Sequence, residues 1–184
     1  MTYIQERSFI ASLTSTTPGH EGILDSVEYS TEHGTRRNNE WLTLTSPWSV
    51  ESQQRFWFGY FDGDKPGYQV RTIGLADGDA HYHTWDLSHG NNIGYYVNRK
   101  TPVLWRIWTQ GEKLGVPDLG KYEEVTMAAV GSVPIGVRTR NPIENRYVQA
   151  GARHKLIMTL DVEHTAVPLF DSYSGLEEIR RRPL

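Results

Sequence analysis

AHYHTWDLSHGNNIGYYVNRKTPVLWRIWTQ, residues 80–110 of a 184-residue chain, is the stretch that decides the fold. Its last third alternates: Val103, Trp105, Ile107 and Thr109 fall on one face of an extended strand, with Leu104, Arg106 and Trp108 on the other. Upstream, residues 80–87 and 93–97 flank Ser88-His89-Gly90-Asn91-Asn92, a run whose Gly and Asn residues suit a tight turn. Aromatic and β-branched side chains favour the pleated surface. The stretch therefore reads as strands separated by turns.

Working outward, the same pattern recurs. Residues 41–45 alternate large apolar side chains with threonine, and residues 55–61 (RFWFGYF) are almost entirely aromatic. The latter end at Asp62-Gly63-Asp64-Lys65-Pro66-Gly67, a turn sequence, and residues 68–73 alternate again. Residues 155–162 place Leu156, Met158, Leu160 and Val162 opposite Ile157, Thr159 and Asp161. Shorter strands are expected at residues 4–13, 23–29, 133–138 and 147–150, with a polar loop at 30–40. Residues 122–130 suit a strand or a short helix, because Glu123, Glu124, Met127 and Ala128 favour helix intrinsically. Residues 176–181 suit a terminal helical turn with basic residues at its end. The polar, Thr/Ser-rich residues 1–20 suggest a loosely ordered N-terminal segment around the first strand. Short strands divided by turn signals, without long helix-period segments between them, predict an all-β fold. The expectation is a single-domain antiparallel β-sandwich over residues 1–184, jelly-roll-like or barrel-like.

Bulk properties narrow the function. A net charge of −3 gives no global positive field, which disfavours nucleic acid as a partner. With no cysteine there are no disulfides, thiolate metal sites or cysteine nucleophiles. No basic segment followed by a long apolar run opens the chain, and no apolar run is long enough to span a bilayer. The expectation is a soluble protein, cytoplasmic as made, with release or export left to another route. G-x-S-x-G, Walker A, G-x-G-x-x-G and H-E-x-x-H motifs are all missing.

Three groups of residues carry candidate chemistry. His81 and His83 lie two apart on an expected strand, so both imidazoles face one side, and His89 in the following turn can swing back toward a shared divalent metal. With Asp86, this run resembles the first motif of cupin metal enzymes. It departs in the glycine spacing before His81, in having Asp86 where glutamate is usual, and in lacking a second motif. The triplets Asp62-Gly63-Asp64 and Asp77-Gly78-Asp79 offer oxygen ligands of the kind calcium takes, although hairpin turns use the same residues. The third group is aromatic: Trp41, Trp48, Trp57, Tyr60, Trp85, Tyr95, Tyr96, Trp105 and Trp108. Some must form the core; those in loops can stack on a ligand.

The leading expectation is a non-enzymatic binding protein, such as a lectin-like module, a toxin component or a virion part. Trp48, Trp57, Tyr60, Trp85, Tyr95 and Tyr96 would meet a carbohydrate, lipid headgroup or protein surface, with Asn91 and Asn92 adding directional hydrogen bonds. A metal-dependent enzyme built on His81 and His83 is the alternative. A third reading is a homo-oligomeric structural subunit whose aromatics are buried on assembly.

Overall fold

The computed structural model describes residues 1–38, 40–73, 83–97, 101–140 and 145–169. Within them the chain forms sixteen strands and one turn of 3-10 helix, Pro47–Ser49. The strands are β1 (Thr2–Ser15), β2 (Gly22–Asp25), β3 (Val27–Ser30), β4 (Gly34–Arg37), β5 (Thr43–Thr45), β6 (Arg55–Asp62), β7 (Gly67–Ile73) and β8 (Thr84–Leu87). They continue as β9 (Ile93–Tyr96), β10 (Trp105–Thr109), β11 (Glu112–Lys113), β12 (Gly120–Ala129), β13 (Ile135–Arg140), β14 (Asn145–Ala150), β15 (His154–Lys155) and β16 (Met158–Thr165). All ladders between them are antiparallel, and among the described residues no helix is long and apolar enough to cross a membrane. The all-β expectation holds.

Pairing closes a ring. β1 pairs β16, β16 pairs β12, β12 pairs β10 and β10 pairs β7, while β6 pairs both β7 and β1. These six strands form a barrel-like layer without a free edge along β6. β1 then leaves β6 and pairs β2 through Thr14 and Ser15, which opens the sheet into a wing of β2, β5, β14, β13 and β15. On the other side the order runs from β7 through β8 to β9. Residues 40–42 join the two arms: Leu42 N–H donates to the Ile93 carbonyl, and the Leu42 carbonyl accepts from Val148 N–H, both at 2.9 Å.

Alternation decides which side chains enter the core. On β6, Phe56, Phe58 and Tyr60 face the main cluster with Phe9, Tyr68, Val70, Trp85 and Trp105. Phe9 stacks on Phe58 at 4.7 Å, and Trp85 meets Phe56 and Trp105 edge-on. The opposite face of β6 carries Trp57, which is fully buried in a second cluster with Ile10, Ile73 and Val167. Its ring lies across Gly59, where an added Cβ would stand 1.9 Å from the indole. Tyr3 stacks on the same ring and Arg71 sits over it. A largely aromatic strand is thus buried on both faces. Replacing a side chain of this size and burial with Ala costs about 3–5 kcal/mol.

β1 closes the ring only with a bulge. Ile4 pairs Tyr60 and Phe9 pairs Phe58, so residues 5–8 stand opposite Gly59 alone. The buried Ser8 hydroxyl repairs the gap: it donates to the Ile4 carbonyl at 2.8 Å and accepts from Tyr60 N–H at 2.9 Å. The Ser8 carbonyl meanwhile accepts from Val167 N–H.

Several local expectations change. Residues 2–15 form the longest strand in place of a loosely ordered segment. Residues 23–29 divide at Ser26 into β2 and β3, and the polar run at 30–40 contains β4, which pairs β3 in a small separate sheet. Residues 120–129 are strand throughout: pairing to β10 and β16 overrides helix propensity, and the helix formers Glu123 and Glu124 fall at a register shift, exposed. Residues 176–181 lie outside the described residues. Asp62-Gly63-Asp64 closes the β6–β7 hairpin, as turn chemistry requires.

Ser8→Ala leaves the buried Tyr60 N–H and Ile4 carbonyl without that partner, so unfolding free energy should drop by about 1–3 kcal/mol in denaturant titration. An unchanged midpoint would show that the hydroxyl does not hold the bulge.

Candidate functional site

The wing has an inner and an outer face. Leu42, Leu44, Ile93, Tyr95, Val137 and Val148 point into the main core. Residues of the other parity, Trp41, Asn92, Arg138 and Tyr147, line a cleft of about 340 Å³ on the outer face. Register brings them together: Arg138 pairs directly with Tyr147, Asn92 bridges to Gln149, and Trp41 bridges to Gly94.

Each wall has a local cause. Gly94 leaves room for the aromatic rings above it: an added Cβ would stand 2.9 Å from Tyr96 Cε2, 3.1 Å from the Glu40 carbonyl oxygen and 3.3 Å from Trp41 Cζ3. Asn92 follows a tight turn in which Asn91 takes a left-handed conformation, φ 60°, and Asn91 N–H donates to the Ser88 carbonyl. The Ser88 hydroxyl accepts from Asn92 N–H at 3.1 Å. Tyr147 is aimed by Glu28, whose Oε1 accepts its hydroxyl at 2.5 Å while Oε2 accepts from Asn38.

The β3–β4 hairpin beside the cleft is fastened by a buried ion pair. Asp25, fully buried, receives both Nε and Nη2 of Arg37 at 2.8 Å, and its Oδ1 also accepts Ser26 N–H. A bidentate pair of this kind fixes orientation as well as charge. Tyr95 donates its hydroxyl to the Asp25 carbonyl at 3.2 Å. Burial, and then the Asp25 charge, raises the Tyr95 phenol well above its usual range, so it stays a donor at neutral pH. Asn145 clasps the backbone of Tyr29 through both amide atoms at 3.0 Å, holding the hairpin to β14.

Chemically, the cleft offers two aromatic faces beside polar groups. Among the described residues, the Trp41 indole N–H, the Asn92 side-chain amide and the Arg138 guanidinium make no hydrogen bond within the protein. They are available to a ligand.

The residues singled out in the sequence are distributed differently. Trp57, Tyr60, Trp85 and Tyr95 are buried in the hydrophobic clusters, so their rings are spent on packing and offer no face to a ligand; Arg7 covers the Tyr60 ring at 3.6 Å. Tyr96 is half-buried over Gly94 next to Trp41, and Asn91 is exposed in the turn. Trp48 is 95% exposed on the Pro47–Ser49 turn, outside the lining of the cleft. Of the metal candidates, His83 is half-buried before β8, His89 is exposed in the turn, and His81 lies outside the described residues, as does Asp77-Gly78-Asp79. Among the described residues, no three His, Asp or Glu side chains gather as metal ligands. Arg138 and Tyr147 were missed by sequence reading. Their parity was legible, but their pairing depends on a register that only the folded wing reveals.

No family model, curated protein or solved structure matches this chain.

Gly94→Ala forces either the Glu40 backbone or the two rings to move, since overpacking of this kind costs about 1–3 kcal/mol. The variant should lose stability in denaturant titration and shift the fluorescence of Trp41. Unaltered stability and emission would mean that the rings do not rest on Gly94.

Proposed function

We propose that this protein is a non-enzymatic binding protein that holds a carbohydrate in the cleft formed by Trp41, Asn92, Arg138 and Tyr147. The observation that carries this reading is the meeting of two aromatic side chains with amide and guanidinium donors that are unsatisfied among the described residues, in one cleft. A sugar ring presents an apolar C–H face and a rim of hydroxyls, which match an aromatic platform and lateral hydrogen-bonding groups respectively. A cleft of about 340 Å³ is of the size that holds a small ligand. Its polar rim suits a sugar better than an acyl chain. The hairpin clasp at Asp25–Arg37 and the Glu28–Tyr147 bond fix the walls before binding, which reduces the ordering cost.

Trp48 supports a second reading. An indole 95% exposed on a single turn of 3-10 helix is an apolar anchor suited to a partner protein or a second copy of the chain. The two readings use different tryptophans and can be separated.

An immobilised array of neutral and acidic oligosaccharides tests the first. Binding should be seen, and Trp41→Ala should weaken it about tenfold or more while Trp48→Ala leaves it unchanged. Failure of the folded protein to bind any glycan on the array, or binding indifferent to Trp41→Ala, would overturn the proposal.

A further inference from the structure

The proposed cleft does not end at Arg138. A second cleft, of about 400 Å³, is lined by residues 137–139 of β13, Gln149 and residues 151–154, among them Arg138, Arg153 and His154. Arg138 is therefore a wall common to both. Among the described residues, no Asp or Glu lines either cleft. The nearest acid in the hydrogen-bond network, Glu28, is committed to Tyr147 and Asn38.

The arginines differ in how they are paired. Arg37 is paired with Asp25, Arg55 with Glu163, and Arg7 is placed over Tyr60 with Nη2 on the Leu114 carbonyl. Arg138 and Arg153 have no ion pair or hydrogen bond among the described residues. His154 is braced by the His20 ring at 4.5 Å between centroids. Gln149 is held by its Nε2 on the Gly90 carbonyl at 2.6 Å, which turns its carbonyl oxygen away from that bond. A chain with a net charge of −3 thus places two guanidiniums that are unpaired among the described residues, Arg138 and Arg153, on clefts that meet at Arg138, one of which carries Trp41 and Tyr147.

Resting on the carbohydrate reading above, we infer that the two clefts form one extended site for an acidic oligosaccharide, bearing carboxylate or sulfate groups and longer than a single sugar. One sugar stacks in the first cleft between Trp41 and Tyr147. Arg138 receives an anionic group at the junction through its planar fork, and Arg153 and His154 receive the next. Nucleic acid is the weaker match. Its phosphates would suit the arginines, but the first cleft provides one short aromatic step and the chain lacks a general positive field.

The test measures binding of hyaluronan oligosaccharides, which alternate N-acetylglucosamine with glucuronate, against fully N-acetylated chitin oligosaccharides of equal length as the neutral counterpart. Hyaluronan should bind about ten- to a hundredfold more tightly, the range given by hydrogen bonds to charged groups. Arg138→Gln should weaken hyaluronan more than the neutral series and so abolish that preference, and Arg153→Gln, which lies outside the first cleft, should remove the gain from a longer acidic chain while retaining neutral binding. Because these side chains are exposed, the variants should keep wild-type melting temperatures, which makes loss of folding a separable result. Equal affinity for the two series, or an acidic preference unaffected by Arg138→Gln, would overturn this inference and leave the carbohydrate reading intact. Binding of neither series and no other glycan would overturn both. Equal or tighter binding of a single-stranded oligonucleotide at matched salt would overturn the acidic-sugar assignment in favour of phosphate recognition.

Discussion

The pairing of β6 with two neighbours at once is the constraint on which the remaining structure depends. It buries the edge of an almost wholly aromatic strand and requires β1 to follow it around the barrel. β1 can do so only by ejecting residues 5–8 from the ladder, with the Ser8 hydroxyl replacing a missing backbone partner. A bulge of this kind bends the strand and strengthens its twist. It allows the same strand to serve β6, β16 and β2 in turn. The fork at Thr14 and Ser15 is the origin of the wing. Without closure at β6 there would be no rigid base from which the wing could extend.

The wing converts that geometry into a surface. Its inner parity is spent on the core, and its outer parity is left to the hairpin and the cleft. Asp25 stands at the centre of this division. Its carboxylate is taken by Arg37 of the hairpin, and its carbonyl accepts Tyr95 from the core side. Breaking a buried pair strands a charge, which is far more costly than never having buried one. The hairpin is therefore fixed where it meets β14, and with it Glu28 and the ring of Tyr147.

Much of the architecture was legible in the sequence, and the reasons are specific. Leu156, Met158, Leu160 and Val162 are buried opposite the exposed Ile157, as their alternation required, and Trp105 and Ile107 face inward as their parity required. Turn residues marked the ends of β6, β7, β8 and β9. The candidate site was less legible. Bulky aromatics were expected to bind ligands, yet Trp57, Tyr60, Trp85 and Tyr95 are packed away, because an aromatic strand can be covered on both faces when a neighbouring segment such as residues 166–167 folds over it. Trp41 and Asn92 were visible as types; their convergence with Arg138 and Tyr147 was not. These residues come from four separate stretches, and cross-strand register between distant segments leaves no local trace. In the β3–β4 hairpin, residues 27–29 lay within the strand expected at 23–29, whereas β4 was hidden for another reason. Its residues, Gly34–Arg37, carry no apolar alternation, and Arg37 is held by an ion pair.

Amide hydrogen exchange followed residue by residue along β6 tests the central claim most directly. If β6 is closed on both sides, the amides of residues 56–60, including that of Tyr60 on the Ser8 hydroxyl, should exchange only through global unfolding, as slowly as the most protected amides of β16. Exchange of residues 56–60 through a local opening, while β16 stays protected, would show β6 to be an open edge and would contradict the ring from which the wing and its cleft are built.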